Sequence, residues 1–115
     1  DFCLRAEGVV LDLEEAVPCG LIIMECVSNA LIHAFPDNEA GNISVSAEAG
    51  VSEICIKVLD SGKGFPEGWF SASESLGFQM IHQLTQQLGG RISYIRDGGS
   101  RFSLLFPKKG EKNTA

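Results

Sequence analysis

The sequence predicts an α/β fold: a two-layer sandwich in which a mixed, mostly antiparallel sheet carries its helices on one face. Three observations predict it. Two stretches, residues 18–36 and 75–88, repeat their apolar residues at helical spacing. Two pairs of short alternating segments are joined by tight, glycine-bearing turns, as antiparallel neighbours are. Finally, 115 residues with 44% hydrophobic and 21% charged content suit one modest core and one domain.

Taken in order, Val9–Leu13 (VVLDL) reads as a short strand leading through Glu14-Glu15 into a helix from Pro18 to Pro36. Proline suits a first helical turn, where its missing N–H costs nothing, and the two glutamates suit the dipole before it. Leu21, Ile22, Ile23, Cys26, Val27, Ala30, Leu31 and Ala34 give that helix a broad apolar surface. Glu25, Asn29 and His33 interrupt it at i, i+4 and i+8, drifting about 80° in all, so they form one polar stripe. Such a stripe is either a satisfied polar ladder or the lining of a site.

Asp37–Gly41 is a turn, and Asn42–Ala49 a strand with Ile43, Val45 and Ala47 on one face. Gly50 separates it from Ile54–Leu59, its expected hairpin partner. Asp60-Ser61-Gly62-Lys63-Gly64 ends that strand, and a loop runs to Glu74. The helix from Ser75 to Leu88 stops at Gly89-Gly90, and Arg91–Arg96 and Arg101–Phe106 form a hairpin around Asp97-Gly98-Gly99-Ser100. Residues 1–107 are expected to be the domain and 108–115 a polar, frayed tail.

A net charge of −6 argues against a nucleic-acid surface, while a small phosphate site would need only local donors. The best apolar run is broken by Glu25 and Asn29, so no membrane span or membrane contact is expected. The opening Asp1-Phe2-Cys3 carries no initiator methionine or signal-peptide pattern, as expected of a fragment of a longer protein. Cys3, Cys19, Cys26 and Cys55 show neither a CxxC pair nor zinc-like spacing, which points to reduced thiols in a cytoplasmic protein.

Four segments carry chemistry. Asp60 closes an apolar strand, and Gly62 and Gly64 let a backbone turn and a ligand approach, although many plain surface turns match the same pattern. Ser75-Leu76-Gly77-Phe78 opens a helix whose free N–H groups suit phosphate, although a serine N-cap explains the same residues. Gly98-Gly99-Ser100-x-Phe102, which a plain hairpin turn also explains, and the Glu25-x-x-x-Asn29-Ala30 helix complete the set.

In this order and spacing they resemble the ATP-binding domain of the gyrase and histidine kinase superfamily, the Bergerat fold, from about Val9 to Pro107. In detail the chain resembles the catalytic domain of a short-lid sensor histidine kinase. The residues carrying this are Val17-Pro18-x-Gly20-Leu21-Ile22-x-x-Glu25-x-Val27-x-Asn29-Ala30 and Ser75-Leu76-Gly77-x-Gln79. The resemblance implies binding of Mg-ATP and transfer of the γ-phosphoryl group to a histidine on a separate dimerisation domain, with a response regulator downstream. The site would be cytoplasmic, including the case of a membrane-anchored sensor.

Residue by residue, the resemblance makes Asn29 the Mg²⁺ ligand and Asp60 the acceptor for the adenine amino group. Gly62 and Gly64 would flank the base, Gly77 would be a glycine of the hinge between lid and helix, and Ser100 would replace a threonine beside the adenine. Glu25 would orient the metal shell or the incoming imidazole. His33 would contact phosphate, orient the metal site, or simply end the helix. Departures from the family pattern are Ser75 for a glycine, Phe78 for a leucine, Ile32 for a lysine and Ser61 for an asparagine. Trp69 and Phe70 are large side chains of the short loop, and no separate phenylalanine-box segment is visible; His82 reads as a solvent-face residue, not a phosphoacceptor. Two rival functions share these motifs: a serine/threonine kinase of the anti-sigma-factor type, and a degenerate domain kept as an interaction module.

Overall fold

The computed structural model describes residues 2–31, 41–62, 76–96 and 98–108, with the side chains of residues 2–5 outside that set. The elements are β1 (Phe2–Arg5), α1 (Leu13–Asn29), β2 (Ile43–Ala49), β3 (Glu53–Asp60), α2 (Leu76–Gln87), β4 (Arg91–Arg96) and β5 (Ser100–Pro107). Five strands form one sheet in the order β1-β2-β3-β5-β4, parallel between β1 and β2 and antiparallel elsewhere. The expected two-layer sandwich is the observed fold.

Its first quarter differs from the expectation. Val9–Leu13 is not a strand, and α1 begins at Leu13 rather than at Pro18. The cause is a capping box. The Asp12 side chain accepts from the Glu15 N–H at 2.9 Å, while the Glu15 carboxylate accepts from the Asp12 N–H at 3.3 Å. Reciprocal satisfaction of two helix-end donors outweighs the strand preference of Val9 and Val10. Glu14 and Glu15 therefore lie inside the first turn rather than before it. Pro18 sits one turn further in, where it has no N–H to donate along the helix, and it is buried. The strand that does occur here, β1, pairs in parallel with β2, Phe2 opposite Ile43.

The core lies between the helices and one face of the sheet. Cys19, Ile22 and Cys26 of α1 and Phe78 and Ile81 of α2 pack on Val45, Ile54, Ile56, Val58, Phe102, Leu104 and Phe106. Alternation along β3 is strict: Ile54, Ile56, Val58 and Asp60 are buried on the helix side, with Cys55, Lys57 and Leu59 half-buried on the other. Full burial of each large apolar side chain contributes roughly 1.5–3 kcal/mol, so this layer carries the fold.

Turn chemistry fixes the register. Gly50 N–H donates to the Glu53 carbonyl at 2.8 Å to close the β2–β3 hairpin. Helix α2 ends in a Schellman arrangement, with Gly89 at φ +70° and Gly90 N–H bonded to the Thr85 carbonyl at 3.1 Å. Lys108 donates from its backbone to Ser52 at 3.0 Å and from Nζ to the Gly50 carbonyl at 3.1 Å, tying the end of β5 to that hairpin.

Candidate functional site

The polar groups gather where the C-terminal end of α1, the N-terminal end of α2 and one end of the sheet meet. On the sheet, Asp60 is the last residue of β3 and continues the buried face of that strand, so its carboxylate belongs to the helix side. Asp60 pairs with Ile43 on one flank and Ser100 on the other, and residues directly opposite in a ladder share a face. Ala30, which follows Asn29, packs on Ile43. The end of α1 is thereby held over the strand end that presents Asp60.

Two features aim the Asp60 carboxylate. Its Oδ1 accepts from the Gly62 N–H at 2.9 Å, a turn that leaves the remaining acceptor positions of the carboxylate for another donor. Ser61 braces the strand end, because its Oγ accepts from the Asn42 N–H at 2.9 Å and its own N–H donates to the Asn42 carbonyl at 3.0 Å. Ser100 is buried and its hydroxyl lies 3.2 Å from the Tyr94 hydroxyl, while the Tyr94 ring packs on Phe102 at a centroid distance of 5.0 Å. Gly99 is buried against Asp60, and a side chain there would strike the Asp60 carbonyl oxygen.

On the helix side, Asn29 Nδ2 donates to the Glu25 carbonyl at 2.8 Å and to Glu25 Oε2 at 3.0 Å. Both amide protons are thus directed at Glu25, and Oδ1 is the end left to meet an outside partner. A hard, neutral oxygen of this kind fits a magnesium ligand when phosphate oxygens and water complete the shell. The Glu25 carboxylate lies against Gly77 at the start of α2, where a Cβ would be 2.5 Å from its Cδ and Oε2. Of the stripe Glu25, Asn29 and His33, the Glu25–Asn29 pair is hydrogen-bonded, and His33 lies outside the described residues.

Burial sets the thiols apart from this chemistry. Cys26, next to Glu25, is pushed up to about 12, first by burial and then by the Glu25 charge. Cys19 rises to about 11 through burial and then the Glu15 charge. Both are free and buried, and Cys55 is free and half-buried. Neutral buried thiols are core residues, not nucleophiles.

A cleft of about 310 Å³ opens at the same end of the sheet, lined by Asp60, Ser61, Gly98 and Ser100 together with Asn42, Ser44, Leu59 and Arg101. Ser44, Leu59 and Arg101 are mutual ladder partners of the half-buried and exposed parity, while Asp60 and Ser100 are a ladder pair of the buried parity, so residues of both parities line this cleft.

Of the residues singled out from sequence, Asp60, Gly62 and Ser100 come together at the strand end, and Glu25, Asn29 and Gly77 come together at the helix junction. His33 and Gly64 lie outside the described residues, as do Ile32, Lys63, Trp69, Phe70 and Ser75. Sequence reasoning missed the capping box, although the Asp12-x-x-Glu15 spacing announces it. It also missed the steric demand at Gly99 and the contact of Glu25 with Gly77, which no spacing reveals. Among the described residues no group of three or more histidines, cysteines or carboxylates is placed to hold a metal, and no helix is long and apolar enough to cross a membrane.

The chain is 33% identical over 112 residues to blue-light-activated histidine kinase 2 of Erythrobacter litoralis strain HTCC2594, covering 95% of this chain and 32% of that protein. It is 35% identical over 95 residues to the sensor histidine kinase PdtaS of Mycobacterium tuberculosis, covering 80% of this chain and 19% of that one. The chain thus spans a third or less of the length of these relatives. Among solved structures, the histidine kinase domain of the Erythrobacter litoralis EL346 blue-light activated histidine kinase superposes with a TM-score of 0.86 at 28% identity, over 97% of this chain and 53% of that one. Histidine kinase ThkA, in complex with the response regulator protein TrrA, superposes with a TM-score of 0.72 at 27% identity, over 98% of this chain and 35% of that one. Residues 15–110 match the family described as histidine kinase-, DNA gyrase B- and HSP90-like ATPase. The chain belongs to that ATPase family and is homologous to the catalytic domains of sensor histidine kinases.

Proposed function

We propose that this domain binds Mg-ATP and donates the γ-phosphoryl group to a histidine on a separate dimerisation domain, as the first step of two-component signalling to a response regulator. The observation that carries the reading is the Asp60 carboxylate, buried at the end of β3, oriented by Gly62 and flanked by Ser100. A carboxylate so placed accepts from the exocyclic amino group of adenine. Guanine offers a carbonyl oxygen at that position, and two facing acceptors would leave a buried charge unpaired. The relatives named as histidine kinases, and the ThkA structure with its regulator, support the choice of acceptor and partner.

Asn29 Oδ1 would hold the metal, which when bound supplies positive charge against the phosphate oxygens. The chain's own part in transfer is positioning: the base is fixed from the sheet end by Asp60 and Ser100, and the phosphates lie toward the end of α1 and the start of α2. Phosphoryl transfer needs little covalent help from protein groups, so a site built of the Asn29 amide, the Asp60 and Glu25 carboxylates, the Ser100 hydroxyl and close-packed glycines suffices. Residues 1–107 form the catalytic domain on this reading.

Calorimetric titration of the 115-residue chain with ADP and a non-hydrolysable ATP analogue, with and without Mg²⁺ and with GTP as the control, tests it. Adenine-selective binding strengthened by Mg²⁺ is expected. Asp60→Asn should weaken the ATP analogue about 10- to 100-fold, as loss of a charged acceptor does, while the carboxamide oxygen still meets Gly62 and keeps the fold. Binding of GTP as tight as that of ATP, or an Asp60→Asn variant with unchanged affinity, would overturn the proposal.

A further inference from the structure

We propose that Glu25 is a positioning residue for Asn29, and that position 77 is glycine because the Glu25 carboxylate occupies the space a side chain there would fill. This rests on the reading of Asn29 as the metal ligand. An asparagine amide presents an oxygen at one end and two N–H donors at the other, and a half turn about its last bond exchanges them. Only the oxygen serves a cation.

Two bonds set the choice here. Nδ2 donates to the Glu25 backbone carbonyl at 2.8 Å and to Glu25 Oε2 at 3.0 Å. The backbone carbonyl holds one proton in any variant. The carboxylate, being charged, takes the other with the stronger bond of the two kinds. Flipping the amide would face its oxygen with two acceptors, so the Glu25 pair fixes Oδ1 outward.

For the carboxylate to stand there, α2 must begin without a side chain above it. A Cβ on Gly77 would lie 2.5 Å from Cδ, 2.5 Å from Oε2 and 2.9 Å from Oε1 of Glu25, all inside contact distance. The start of α2 is also the positive end of its dipole, where a carboxylate is favoured. Gly77 therefore acts through Glu25 on Asn29: the element that follows the loop and the element that carries the metal ligand meet through one carboxylate. Because the clash is with the far end of a flexible side chain, a methyl group at 77 displaces Glu25 rather than unfolding the domain.

The test is the Mg²⁺ enhancement of affinity for a non-hydrolysable ATP analogue, read by calorimetry, with denaturant midpoints recorded for every variant. Glu25→Ala and Gly77→Ala are each expected to reduce the enhancement about five- to tenfold, and the double variant no further than Glu25→Ala alone. Glu25→Gln should stay within about twofold of the parent, because its carboxamide oxygen still accepts from Nδ2. Asn29→Ala should abolish the enhancement. Full enhancement in Glu25→Ala, beside its loss in Asn29→Ala, would overturn the positioning role and leave the metal ligand standing. Glu25→Gln as damaging as Glu25→Ala would make the charge the cause and overturn it too. Full enhancement in Gly77→Ala would overturn the steric account, and full enhancement in Asn29→Ala would overturn the metal-ligand reading and this proposal with it.

Discussion

Gly99 offers the sharpest test of how the sheet end is built. Its φ of +145° lies in a region that only glycine visits at low cost, and a Cβ would strike the Asp60 carbonyl oxygen while standing 3.0 Å from the Asp60 carbonyl carbon and 3.3 Å from the Ser61 Cα. All three atoms are backbone, so relief requires β5 to move away from β3 rather than a side chain to turn. Strain of this kind costs about 1–3 kcal/mol, and forcing extra volume into a packed place a similar amount, so Gly99→Ala should lose about 2–6 kcal/mol. Gly98 supplies the control in the same turn: its φ is +65° and nothing lies within 4 Å of its Cβ position. Gly98→Ala should cost only about 1–2 kcal/mol, for the left-handed conformation. Urea unfolding followed by tryptophan fluorescence and circular dichroism compares the two directly. If Gly99→Ala is no less stable than Gly98→Ala, the close approach to Asp60 does not govern this turn.

Other consequences are as direct. Asp12→Ala removes the side-chain acceptor of the capping box and should cost about 1–2 kcal/mol in urea unfolding, with Asp12→Ser restoring most of it; no loss would mean that α1 needs no cap ahead of Pro18. The Cys19 and Cys26 thiols are raised in the fold from 9.0 to about 11 and about 12. A raised folded value means stability present in full below about pH 9 and lost above it, at about 1.4 kcal/mol per pH unit for each thiol, until the folded groups ionise. Cys26→Ala should therefore be less stable at neutral pH but lose stability about half as steeply between pH 9 and 10.5, as read from denaturant midpoints. An unchanged alkaline slope would show that burial does not hold this thiol neutral.

What could be read from the sequence was carried by patterns within single elements. The alternation of Ile54, Ile56 and Val58 places Asp60 on the buried face because parity along a strand is unforgiving, and the structure agrees. The i, i+4 spacing of Glu25 and Asn29 likewise foretells that the two can touch. Long-range relations were hidden. Nothing beside Phe2–Arg5 signals that its partner is Ile43–Ser46, because a parallel partner leaves no hairpin turn to read. Val9 and Leu11 looked like a strand, yet their apolar side chains pack on the core with no ladder at all, and the competing cap at Asp12 decided the matter. Pro18 suits a helix start, yet it stands in the second turn of α1. The steric need for glycine at 77 and 99 belongs to neighbours from distant segments, and a turn signal says nothing about what lies opposite it.

Asn29 closes α1, Asp60 closes β3 and Ser100 opens β5, and the ladder that seats Ser100 beside Asp60 reaches across the whole of α2 and β4. No contiguous peptide holds all three. A molecule that must meet them together can be captured only by chains whose distant pairings have all closed, so its saturation stoichiometry counts native molecules in a preparation. Such a molecule also shifts the folding equilibrium by mass action, by about 2.7 kcal/mol at a hundredfold excess over its Kd. Occupancy of the cluster becomes a gauge of sample integrity, sensitive to misassembly that a helix-weighted spectrum would overlook.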